Sequence, residues 1–143
     1  MANTTTQNLV AFLLADSSIA ALVATRIYIG HVPQASTTPY IYVAKRAEEP
    51  WDDIDAIAYN PFREIIAVEC WGDAGDVFGT TGLGHLVRVR CQGYAGTIGT
   101  GTVQRIEVVD ADDDYAPRGS SGDEGLDFVV LDLTITNYQA SLT

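Results

Sequence analysis

Apolar residues recur with helical spacing at Leu9, Phe12 and Leu13, behind the N-cap candidates of residues 3–6, and predict an amphipathic helix over residues 5–15. Asp16-Ser17-Ser18 then caps a second short turn over residues 19–23, before an extended segment at residues 26–29 that Gly30 and Pro33 end. Pro39 opens Tyr40-Ile41-Tyr42-Val43-Ala44, whose aromatic and β-branched content predicts a strand, closed by Glu48-Glu49-Pro50. Residues 63–71 alternate weakly and are rich in Ile and Val, as a central strand with a buried face should be.

The second half of the chain is less regular. Asp73 can cap a helix over residues 74–91, with Leu83, Leu86, Val87 and Cys91 near one face. Gly75, Gly79, Gly82 and Gly84 weaken it by roughly 0.5–1 kcal/mol each relative to Ala. Glycines on neighbouring turns would also let the backbone approach a sheet or another subunit closely. Residues 93–101 read as a flexible linker by composition. Two alternating strands follow, over residues 102–109 and 126–138. The expected fold is α+β, ordered α, β, β, β, α, β, β: an antiparallel sheet of about four or five strands with two main helices on one face. A single domain over residues 1–143 is expected, with flexible loops near 48–61, 93–101 and 110–125.

At 143 residues the chain can bury roughly two-thirds of its unfolded surface without staples. The N-terminus lacks a basic region, and no apolar run approaches the ~20 residues of a membrane span, so a cytoplasm-like site of synthesis is expected. Cys70 and Cys91 have no CxxC spacing and read as free thiols. The formal charge of −11 repels phosphate backbones and argues against direct nucleic-acid binding.

Candidate chemistry is sparse. The acidic run Asp110-Ala111-Asp112-Asp113-Asp114 fails as a calcium loop, because positions six and twelve are Tyr115 and Ser121 in place of Gly and Glu. It reads as a solvated acidic loop. The glycines at 79, 82 and 84 form neither a GK[ST]-ended phosphate loop nor GxGxxG. His31, beside Gly30, and His85, on the exposed side of the glycine-rich helix, stand in no GxSxG or HExxH phrase. No catalytic, cofactor or metal residue is assigned. Trp71 reads as core. Trp51, between Pro50 and Asp52-Asp53, either folds back on the core or plugs into a partner, since interface anchors are enriched in Trp and Tyr.

The series Arg26-Ile27-Tyr28, Pro33-Gln34, Pro39-Tyr40 and the strand closing on Trp71 resembles the tail terminator, or tail-completion (head-to-tail joining), proteins of long-tailed bacteriophages over residues 5–138. The chain departs from them in its glycine-studded helix, where Ala- and Leu-rich turns are usual, and in a longer insert around Trp51. The resemblance implies a non-catalytic virion protein, made in the host bacterial cytoplasm. It implies a ring, typically hexameric, that caps the tail tube protein and joins it to the neck or connector protein, with DNA passing through unbound. Candidate interface residues are Trp51, Asp52, Asp53, Asp55, Tyr59, Tyr115 and Arg118. Candidate lumen carboxylates are Asp110, Asp112, Asp113 and Asp114, with Asp52, Asp53 and Asp55 able to share that role. Residues 48–60 and 110–125 are expected to order on binding. Two alternatives are a head-completion or stopper protein of the connector, and a small ligand-binding α+β dimer with a deep apolar pocket.

Overall fold

The computed structural model describes residues 4–33, 37–50, 62–73, 82–116 and 126–137. The chain begins with two short helices, α1 (Thr5–Leu14) and α2 (Ser17–Val23), set at 95° to each other. Both starts follow from sequence. Thr4 Oγ1 accepts from Gln7 N at 3.2 Å while Gln7 Oε1 accepts from Thr4 N at 2.9 Å, a capping box. Asp16 Oδ1 accepts from Ser18 N and Ile19 N at 2.9 and 3.1 Å.

Strands β1 (Ile27–Ile29), β2 (Tyr40–Pro50) and β3 (Phe62–Asp73) follow, then α3 (Leu83–Cys91), β4 (Gly96–Ile98), β5 (Gly101–Ala116) and β6 (Leu126–Asn137). They form one six-stranded sheet in the order β1-β2-β3-β6-β5-β4. The α+β class holds, but the sheet is mixed and has more strands than the expected four or five, because β1 runs parallel to β2 while every other pair is antiparallel. Three helices are described, the two main ones and, as α2, the short turn expected after Asp16.

One face of the sheet carries Ile41, Val43, Ile66, Val68, Cys70, Val129, Leu131, Leu133 and Ile135, which pack with Leu9, Leu13, Ile19, Leu83 and Val87 of the helices into a single apolar cluster. Alternation along each strand puts these side chains on the same side. Cys70 and Cys91 are both free and buried here. Burial pushes the Cys91 thiol up to about 12, against a smaller opposing pull from Arg90. Burial likewise raises the Cys70 thiol, with Cys91 and Glu69 adding to the shift.

Polar contacts tie the helices to this core. Asn8 on α1 is buried and its Oδ1 accepts from Thr100 N at 3.1 Å and Thr100 Oγ1 at 3.2 Å. Thr100 lies in the turn of the β4–β5 hairpin, where Ile98 pairs with Gly101. The glycines there are required. Gly99 has φ +55°, and a Cβ on it would stand 2.5 Å from Asn8 Oδ1. Residues 93–101 are therefore a hairpin seated on α1 in place of the expected flexible linker. One turn earlier, at the start of α1, Thr5 Oγ1 donates to Glu64 on β3, a buried carboxylate that also pairs with Lys45 Nζ at 3.5 Å. α1 has no acidic residue in its own first turn, so Glu64 supplies the negative charge that the helix N-terminus favours.

Of the expected helix over 74–91, residues 83–91 are α3, while 74–81 lie outside the described residues. Its glycine has a packing role. A Cβ on Gly84 would meet Val129 Cβ at 3.0 Å, so the missing side chain lets α3 lie directly against β6.

Candidate functional site

The opposite sheet face carries no described helix, and it is organised in three zones. At one end, four rings cross four strands: Tyr28 on β1, Tyr40 on β2, Trp71 on β3 and Phe128 on β6, with centroid separations of 6.0, 6.2 and 4.3 Å. Tyr40, Trp71 and Phe128 are direct register partners, and the last two stack within 16° of parallel. Trp71 is thus not a core residue as expected. It follows Cys70, so strand alternation turns it to the far side, where it is half-buried and its Nε1 donates to Glu69 Oε1 at 3.0 Å.

In the middle zone, Arg46 sits at a bulge of β2 and its Nε lies 3.5 Å from Asp132 Oδ1 on β6. The side chain must cross β3 to do so, over Ala67, which pairs with both Ala44 and Asp132 and is almost fully covered. At the far end, Arg63, Thr136 and Arg105 form a row across β3, β6 and β5. With Gln104, Glu107 and Thr134 they line a shallow polar groove of about 320 Å³. Arg105 Nε pairs with Glu107 Oε1 at 2.8 Å.

The predicted site residues divide over this frame. Trp51, Asp52, Asp53, Asp55, Tyr59 and Arg118 lie outside the described residues. Asp110, Asp112, Asp113, Asp114 and Tyr115 were expected in a loop, but β5 continues through them to Ala116, pairing each with β6 from Asp132 to Asp127. Likewise Glu48, Glu49 and Pro50 extend β2, opposite Glu64, Arg63 and Phe62. Pro50, Phe62 and Asn137 share one end of the sheet, where the 51–61 connection begins, whereas Ala116, Leu126 and Asp73 share the other, where 117–125 begins.

His31 and His85 are both exposed and lie on separate elements, after β1 and on α3. Among the described residues no three His, Cys, Asp or Glu side chains group as metal ligands. No helix among them is long and apolar enough to cross a membrane. Among the described residues this face presents an aromatic row at one end and charged side chains in the middle and at the far end. The aromatic row escaped the sequence reading, although Tyr40, Tyr42 and Trp71 occupy the alternate positions between core residues that could have revealed it.

Compared with known families, the sequence matches that of the tail completion protein gp17 over residues 7–133. The chain belongs to this tail completion family. The sequence resemblance pointed there. Among solved structures, a chain of the virion of the native gene transfer agent (GTA) particle superposes with a TM-score of 0.60, covering 94% of this chain and 94% of that one. At 17% identity this likeness is one of fold. No curated protein matches the sequence.

Proposed function

We propose that this chain is a structural component of a phage-like tail, which forms a ring that terminates the tail tube and joins it to the neck. The observation that carries this reading is the tail completion family match over residues 7–133. The fold supports it. Connections leave the sheet at both ends, so one subunit can meet the tail tube protein at one end and the neck or connector protein at the other. The role is mechanical and non-enzymatic.

The charge of −11 suits a passage for DNA. A ring of subunits this acidic repels the phosphate backbone and lets it slide without adhering. The reading is tested by light-scattering mass of the purified chain, alone and with the tail tube protein, and by the phenotype of a deletion. A closed oligomer and unjoined tails are expected. Complete, infectious particles without the protein would overturn it.

A further inference from the structure

Sheet edges are normally short or covered, because a row of unpaired backbone N–H and C=O groups invites another strand. Here the edge strands β1 and β4 have three residues each and cover only part of their neighbours. β1 pairs with residues 41–43 of β2, and Gly30 N donates to Val43 O, after which residues 44–48 have no described strand on their outer side. β4 pairs with residues 101–103 of β5. The chain before it adds bonds at Ile106, and Gln92 Oε1 accepts from Val108 N at 2.8 Å. Beyond this, residues 109–116 of β5 have no described strand on their outer side.

These two open edges lie on opposite sides of the sheet and at opposite ends. β5 runs against β6, which runs against β3, which runs against β2. In a copy placed beside the first in the same orientation, β2 is therefore antiparallel to the first copy's β5. The step left above by β4 and the step left below by β1 set the stagger between copies. By sequence the open half of β5 holds Asp110, Asp112, Asp113 and Asp114, while the open half of β2 balances Lys45 and Arg46 against Glu48 and Glu49 and so adds no net negative charge to the contact.

From this we infer that the open half of β5 receives the open half of β2 from a second copy of this chain, so that the sheet continues from subunit to subunit. The contact is heterologous, and it is the kind that generates a ring when the rotation closes. Strand addition supplies main-chain hydrogen bonds, and the steps at β1 and β4 fix how far the two edges overlap. The inference rests on the ring reading and specifies its subunit contact.

The test is cross-linking of the full chain carrying Ala47→Cys and Asp112→Cys, oxidised with copper phenanthroline and read on a non-reducing gel beside the light-scattering mass. The buried native thiols at 70 and 91 stay silent. A ladder running up to the closed ring is expected for the double variant and its loss for either single one. A ring mass with no ladder overturns the edge pairing and leaves the ring reading standing, whereas a monomeric mass with no ladder overturns both. Should the cysteine pair impair folding, Asp112→Lys with Asp114→Lys replaces it. Loss of the ring mass with an unchanged circular dichroism spectrum is expected, and an intact ring overturns the inference.

Discussion

The guanidinium of Arg90 lies 4.0 Å above the centre of the Phe12 ring while its Nε and Nη2 both donate to the Phe12 carbonyl, at 3.2 and 3.0 Å. That carbonyl is among the last four of α1, and Asp16 N bonds Leu13 O instead of continuing the helical ladder. Arg90 therefore completes a helix end from a different helix and brings a positive charge to the favourable pole of α1. Arg90→Ala is expected to cost about 2–3 kcal/mol in urea unfolding, and Arg90→Lys about half of that, because an ammonium cannot stack and donate in the same way.

Gly84→Ala tests whether helix propensity or packing governs α3. Alanine gains up to about 1 kcal/mol in an exposed helix, but here its methyl group would meet Val129 Cβ at 3.0 Å. Net destabilisation of about 1–3 kcal/mol is expected from overpacking. Combining it with Val129→Ala should recover part of the loss, and a purely additive double mutant would show that the close approach is not the cause.

Asn8→Ala removes the acceptor for Thr100 N and Oγ1 beneath the β4–β5 turn. The cost expected is about 0.5–1.5 kcal/mol, because exposed Thr100 can turn its donors to water, with faster amide exchange confined to residues 98–101. Gly99→Ala should be at least as damaging, since φ +55° and the 2.5 Å approach to Asn8 Oδ1 act together.

Alkaline stability follows from the thiols. Both are held protonated by burial in the folded protein, Cys91 with its pKa raised from 9.0 to about 12. In the unfolded chain they ionise earlier, so above pH 9 the unfolded state loses protons that the folded state keeps. Their contribution is complete below pH 9 and is lost as pH rises toward 12, with a slope of about 1.4 kcal/mol per pH unit for each thiol. Cys91→Val should flatten urea-derived stability between pH 9 and 11 by about one thiol's share. Thiol-reactive dyes at pH 8 should label the folded protein far more slowly than the urea-unfolded chain.

Much of the fold is written in local signals. Asp16 announced α2, the Leu9, Phe12 and Leu13 spacing gave α1, and aromatic and β-branched runs marked β2, β3 and β6. β1 was read as the extended segment at 26–29, but its parallel pairing was not, and β4 was missed because three residues cannot display a period. The acidic half of β5 was hidden for another reason. Successive aspartates disfavour strands and show no apolar alternation, yet pairing with β6 along residues 126–132 overrides that preference. Gly99, read as part of a flexible linker, and Gly84, in a helix whose glycines left looseness and close packing both open, are points of close contact. Of the candidate site, Tyr115 and the aspartates of β5 gained a defined register, whereas the aromatic row on the uncovered face needed the strand pairing to become visible.

β3 and β6, each twelve residues long, pair along their whole length from Phe62–Asn137 to Asp73–Leu126. A force applied between the two ends of the sheet thus acts along the strands and across their hydrogen bonds, so the ladder must yield all together instead of unzipping pair by pair. Pulled in that direction, the body of the subunit outlasts the shorter β1 and β4 pairings at its edges.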